Sequence, residues 1–218
     1  QRTKPPMRRS RERMLLNQEE VQSTMCIICV SKPGCEQPSV KTLRTMFLLN
    51  PHGAGYMVAR GGKVFIHKGF MNIEEFLNAV RRERFTAADS VVYHFRISTQ
   101  AGVNPEMTHP FPLSNQPRRM RALDMTCRCG VAHNGIIRLT SDPTNTRFSD
   151  TAVFITDYLT NIIRKPADLR NQERLDTIYR LAQSKFAIMD GSGYIATVGD
   201  FMNDRGILYS NRSYTGWR

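Results

Sequence analysis

The sequence predicts an α+β domain built on antiparallel strands. Three observations carry that expectation. Strand-type apolar runs outnumber helical stretches, Gly- and Asn-containing turns join several of them as hairpins, and the helices fall between blocks of strands. A parallel sheet would need a long crossover after each strand, which this order does not supply.

Taken in order, Cys26-Ile27-Ile28-Cys29-Val30 is a short apolar run of strand type, and Pro33-Gly34 turns the chain. Ser39 stands where an N-cap belongs, ahead of a helix carrying Val40, Leu43 and Phe47 that Asn50-Pro51 closes. Two strands near Gly55–Ala59 and Lys63–His67 flank the hairpin turn Gly61-Gly62. Asn72 caps a helix with Phe76, Leu77 and Val80 on one face, and Ser90–Ile97 reads as a strand. Residues 101–126 hold four prolines and no clean period, so a long loop is expected there. A strand near Arg128–His133 leads to Asn134-Gly135, read as a hairpin turn, with Ile136-Ile137 continuing beyond it. Ser149 opens a helix through Val153, Phe154, Leu159 and Ile163; a second spans Gln172–Gln183. Strands follow at Phe186–Met189, Tyr194–Val198 and Ile207–Tyr209.

Composition narrows the function classes. With 40% hydrophobic and 23% charged residues the chain can bury a core rather than remain disordered. No apolar run approaches the roughly 20 residues a membrane-spanning helix needs, so no membrane role is expected. Five cysteines are too few for a disulfide scaffold and leave one unpaired, which points to a reducing, cytoplasmic setting. The net charge of +12 attracts phosphates. The basic residues are dispersed, however, apart from small groups such as Arg81, Arg82, Arg84 and Arg118, Arg119, Arg121. No nucleic-acid-binding motif accompanies them, so nucleic acid stays an unassigned partner. Residues 1–25 are polar and Arg-rich and read as a basic leader, either a propeptide or an upstream extension; residues 26–218 read as the domain.

Cys26 directly follows Met25. Translation from Met25 with loss of that methionine would put a thiol and an α-amine on one residue, and the amine, with a reference pKa near 8, can take the thiol proton. A buried, inert strand cysteine is the competing reading. Cys26-x-x-Cys29 with Cys127-x-Cys129 could instead supply four thiolates to zinc, leaving Cys35 spare. Asn134 and the Gly135 N–H, besides making a turn, could donate to an oxyanion at a strand end. Arg96 shares a strand face with His94 and needs an anionic partner, either a structural carboxylate or a ligand's. Asp150 in the first turn of its helix suits the helix dipole, or could hold an ammonium.

The order of these features is more specific than any one of them. Met25-Cys26 is followed by Asn50-Pro51-His52-Gly53-Ala54-Gly55, then His94-Phe95-Arg96-Ile97-Ser98-Thr99, His109-Pro110, His133-Asn134-Gly135 and Ser149-Asp150-Thr151. From about Cys26 to Tyr209 this resembles the class II glutamine amidotransferase domain of the N-terminal-nucleophile hydrolases, in stand-alone form. The resemblance implies a four-layer αββα sandwich of two antiparallel sheets, with no metal or other cofactor. It implies Cys26 as nucleophile with its own freed amine as base, and Asn134 and Gly135 as the oxyanion hole. Arg96 and Thr99 would hold the glutamine α-carboxylate and Asp150 its ammonium, with His94, His133 and Gly53 in supporting places. Ile27 stands where the family commonly carries glycine. The implied activity is hydrolysis of the glutamine side-chain amide through a cysteinyl thioester, releasing ammonia for a separate synthetase or transferase. Two alternatives accompany it: a stand-alone γ-glutamyl amide hydrolase, and an inactive basic domain of the same fold that binds nucleic acid or protein.

Overall fold

The computed structural model describes residues 26–98, 103–141 and 147–216. The strands are β1 (Ile27–Ser31), β2 (Ala54–Arg60), β3 (Lys63–Phe70), β4 (Val91–Phe95), β5 (Phe111–Pro112), β6 (Asp124–Cys127), β7 (Cys129–Asn134), β8 (Lys185–Asp190), β9 (Ile195–Val198), β10 (Met202–Asp204) and β11 (Ile207–Tyr209). The helices are α1 (Val40–Leu49), α2 (Ile73–Glu83), α3 (Pro117–Arg121), α4 (Asp150–Phe154) and α5 (Gln172–Ala182). The expected α+β class with two antiparallel sheets is what forms. A seven-stranded sheet runs β10-β11-β1-β4-β2-β3-β6 and a four-stranded sheet runs β5-β7-β8-β9, every pairing antiparallel.

Alternation along the strands sorts the apolar residues into separate clusters. In β1, Ile27 and Cys29 join Leu43, Met46 and Phe47 of α1 and Phe76 and Leu77 of α2. Ile28 and Val30 point the other way, into a cluster with Met57, Val92 and the small sheet's Ala132, Ala187 and Met189. The small sheet's other face sends Val131, Phe186 and Ile188 against Phe154, Ile155, Leu159, Leu175 and Ile178. Each fully buried side chain of this kind contributes about 1.5–3 kcal/mol. The sheets approach closely at Gly130, where an added Cβ would lie 2.5 Å from Met57 Sδ. No helix among the described residues is long and apolar enough to cross a membrane.

The caps form as the residue types dictate. Ser39 Oγ accepts from the Thr42 N–H at 3.1 Å, and Asn72 Oδ1 accepts from Glu74 N–H at 2.8 Å. Gly61 and Gly62, with φ of 56° and 77°, make the expected turn between β2 and β3. The helix that Ser149 caps continues past α4 through a π-helical turn (Ile155–Leu159) and a last α turn (Thr160–Ile162).

Three local expectations are corrected. Asn134-Gly135 is not a hairpin turn. β7 ends at Asn134 between β5 and β8, Gly135 turns away at φ 139°, and the Ile137 N–H donates to Asp150 Oδ2 at 2.8 Å instead of to a ladder. Residues 101–126 are not a plain loop. They carry β5, α3 and β6, the last pairing along β3 as an edge strand whose polar sequence hides it. β10 was not anticipated; it pairs only with β11. The leader, residues 1–25, lies outside the described residues.

Candidate functional site

The head of β1 brings Cys26 to one end of both sheets. β1 pairs with β4 so that Ile27 faces Phe95 and Ile28 faces His94. Continuing that register sets Cys26 opposite Arg96. The Ile97 N–H donates to Cys26 Sγ at 3.3 Å, and the thiol is 3.4 Å from the Ile97 carbonyl that accepts from it. Ile27, whose side chain takes the opposite face of the strand, is buried among the α1 and α2 residues, so its bulk does not crowd the thiol.

The thiol lies within electrostatic range of two opposite charges. Burial raises its pKa above the ordinary value; the Ile97 N–H and the Arg96 guanidinium pull it down, and the Asp150 carboxylate pushes it up. Arg96, 6% exposed, has its own pKa lowered by burial, with Cys26 and Asp150 opposing that shift. It stays a cation, as guanidinium does in proteins. Its backbone is fastened to the preceding loop: the Arg96 N–H donates to Gly53 O at 2.8 Å, and the His52 N–H to Arg96 O at 2.9 Å. Gly53 has φ 113° and a Cβ there would lie 2.5 Å from Thr108 Cγ2, so glycine is required in that loop. His52 Nδ1 then accepts from the Ser98 N–H at 2.8 Å, fixing the chain just past the arginine.

Asp150 sits at the start of α4. Its Oδ2 accepts from the Ile137 N–H at 2.8 Å and its Oδ1 from the Thr151 N–H at 2.7 Å. The Thr151 hydroxyl links it to His133, 2.8 Å from Nδ1, while His133 Nε2 is 2.9 Å from Ser184 Oγ. One chain of contacts, Ser184–His133–Thr151–Asp150, thus ties the end of β7 to the carboxylate. Gly135 belongs to the same knot, since a Cβ on it would meet Ser184 Cβ at 2.6 Å.

Asn134, 1% exposed, donates from Nδ2 to Ser210 Oγ at 2.9 Å. Ser210 Oγ also accepts from the Ile28 N–H at 2.9 Å, and Asn211 Nδ2 donates to Cys26 O at 2.8 Å. The segment after β11 therefore ties Asn134 to the residues that carry the thiol. One hydrogen of the Asn134 amide remains beyond the bond to Ser210.

Behind these groups lie three histidines. His94 is fully buried, its Nε2 is 2.9 Å from His133 O, and burial pushes its pKa down to about 3. His109 stacks on it with ring centroids 4.2 Å apart, and burial holds His109 and His133 low as well. All three are neutral at pH 7. None of them hydrogen-bonds to the thiol, whose partners among the described residues are the two backbone groups of Ile97.

The structure thus brings Cys26, Arg96 and Asp150 together electrostatically, joins Asn134 to the Cys26 strand through Ser210, and places Gly135 beside Asn134. His94 and Gly53 hold backbone, and the His133 ring joins the Thr151 and Ser184 hydroxyls; none of the three hydrogen-bonds to the thiol. Thr99 lies outside the described residues. Sequence reasoning missed Ser210, Asn211 and Ser184, because single polar residues in turns carry no pattern of their own, and it quoted His52 within a motif without assigning it a role. The zinc alternative does not assemble. Cys29, Cys127 and Cys129 fall into three different clusters, all five cysteines are free, and no metal-holding group of His, Cys, Asp and Glu exists among the described residues.

No protein-family model matches this chain, and no curated protein matches it either.

Proposed function

We propose that this chain is a class II glutamine amidotransferase, an N-terminal-nucleophile hydrolase with Cys26 as its first functional residue. One observation carries the reading: the β1–β4 register sets the Cys26 thiol at a strand head beside the buried Arg96 cation, hydrogen-bonded to the Ile97 N–H at 3.3 Å, with the Asp150 carboxylate also within its electrostatic reach. An α-amino acid presents a carboxylate and an ammonium at one end, which such a pair can grip, with Thr99 assisting on the carboxylate side. The three clusters of apolar residues support a four-layer αββα sandwich around that site.

The chemistry follows from the groups present. Burial keeps the Cys26 thiol protonated at neutral pH, so attack needs a base, and no side chain among the described residues hydrogen-bonds to Sγ. Breaking the Met25–Cys26 peptide bond frees an α-amine on Cys26 itself, close to the sulfur by covalent geometry. That amine takes the thiol proton, and sulfur attacks the side-chain amide carbon of glutamine. The remaining Asn134 amide hydrogen and the Gly135 N–H donate to the oxyanion. The proton passes from the amine to the leaving nitrogen, ammonia departs, and a water molecule hydrolyses the thioester to glutamate. Holding both charged ends of the substrate supplies several kcal/mol by positioning. The ammonia passes to a separate synthetase or transferase. Five free cysteines suit a reducing compartment such as the cytoplasm.

The test joins two measurements. N-terminal sequencing and intact mass of the natural gene product should find a chain that begins at Cys26. A diazoketone analogue of glutamine should then alkylate that residue stoichiometrically and abolish ammonia release. A functional protein that hydrolyses glutamine with Cys26 still in peptide linkage would refute the reading. Comparing glutamine with γ-glutamyl amides of bulkier amines separates the two hydrolase substrates.

A further inference from the structure

A cleft of about 510 Å³ opens where β6 passes into β7, and its walls include Lys63, Arg119, Arg128, Arg164 and Lys165 but no acidic residue. It shares Gln116, Arg119 and Thr126 with a second opening of about 360 Å³ that adds Arg118. The cleft touches the Cys129 end of β7, whereas the candidate site lies at Asn134. Five residue steps of strand separate them by about 17 Å, so the cleft is no part of the site around Cys26.

Its cations differ from several of the protein's other arginines. Arg44, Arg60, Arg121, Arg170 and Arg174 each reach a carboxylate. None of the five cleft cations is in an ion pair among the described residues. The nearest acid on the same loop, Asp168, spends Oδ2 on the Arg164 and Lys165 backbone N–H groups and Oδ1 on Arg174. Arg119 donates to Thr126 O at 2.8 Å, yet its Nε is buried with no partner. An unpartnered buried donor on the wall of a one-signed cleft marks a place for an anion's oxygen.

The shape selects among anions. The cations are spread along two joined openings rather than gathered around one point, so they suit a succession of phosphates better than a single one. No aromatic residue lines either opening, so no platform for base stacking exists there. We infer that this groove binds the phosphodiester backbone of nucleic acid, without sequence preference. The net charge of +12 assists the encounter. This binding is independent of the amide chemistry.

The test uses the full chain and a fluorescently labelled twelve-nucleotide oligothymidylate, with anisotropy followed across a salt series. Two variants are compared. One carries Lys63→Gln, Arg128→Gln, Arg164→Gln and Lys165→Gln, all exposed positions. The other removes equal charge elsewhere, through Lys32→Gln, Lys41→Gln, Arg205→Gln and Arg212→Gln. The parent should bind with a log–log salt slope of about −4 if six phosphates are neutralised at about 0.7 each. The groove variant should lose more than tenfold in affinity beyond the control, with a slope flatter by about 3. Equal losses in both variants would overturn the inference by assigning the effect to net charge. So would absence of binding by the parent at low salt, or displacement by inorganic phosphate as efficient as by unlabelled oligonucleotide.

Discussion

The two ends of β7 use charge in opposite ways. At the Asn134 end, a cation and an anion of the same site are held by backbone and side-chain hydrogen bonds, within reach of one thiol. At the Cys129 end, five cations share a solvent-facing cleft with no carboxylate on its walls. The first arrangement is rigid and of mixed sign, which suits a zwitterion of fixed size. The second is loose and of one sign, which suits a repeating polyanion. A charge built for catalysis needs neighbours that fix its direction, whereas a charge built for a phosphate backbone needs mainly the absence of opposition.

The sharpest way to break this contrast is to remove the group that only one end possesses. Cys26→Ala should lower glutamine hydrolysis by roughly 10⁴-fold or more, as loss of a covalent nucleophile does, while oligonucleotide binding stays unchanged. Ammonia release and anisotropy on one preparation decide it. Retained turnover would detach the mixed-charge end from the chemistry assigned to it.

Acid should also separate the ends. His94, His109 and His133 have pKa values lowered by burial, His94 to about 3, from an ordinary value near 6.5. A depressed folded-state value means that the unfolded chain binds protons first. The stability these neutral imidazoles contribute is present above pH 6.5 and is lost as pH falls below it. At pH 5 His94 alone should cost about 2 kcal/mol relative to pH 7, a large share of a typical total of about 5–15, and His109 and His133 act in the same direction. Urea midpoints at the two pH values check this, and an unchanged midpoint would contradict it. No histidine lines the cleft.

Next in size is the carboxylate grip. Arg96→Lys should raise KM for glutamine by about 10–100-fold, because an ammonium replaces a two-pronged guanidinium and a charge-assisted hydrogen bond is worth about 1.5–3 kcal/mol. Steady-state kinetics would show it, and a fall in kcat at unchanged KM would assign Arg96 a different task. Smallest of all, the fourfold groove variant should leave kcat/KM for glutamine within about twofold of the parent, since the two ends lie about 17 Å apart and salt screens the cleft over about 10 Å. A larger change would mean that the ends are coupled.

Much of this architecture was legible before any coordinates. The caps at Ser39 and Asn72, the Gly61-Gly62 turn and the alternating run of β1 are local signals, and each formed as expected. Arg96 stood out because a charge on a buried strand needs a partner, whereas Cys26 and Asp150 stood out only through the order of the motifs around them. The turn at Asn134-Gly135 was misread because a local pattern cannot register that Asp150, fifteen residues away from Gly135, offers the Ile137 N–H a better acceptor than a neighbouring strand. β6 escaped notice because an edge strand paired through its backbone needs no apolar alternation. Ser210 and Asn211 were invisible for a related reason: their partners, Ile28, Asn134 and Cys26, lie far away in sequence.

That last pairing bears on how the molecule is made. Asn211 holds the Cys26 carbonyl and Ser210 accepts from the Ile28 N–H of the same strand, and both leave the ribosome some 180 residues after it. A growing polypeptide therefore exposes its sulfur long before the clasp that orients it exists. Until both residues have emerged, the thiol lacks the contacts that set its direction.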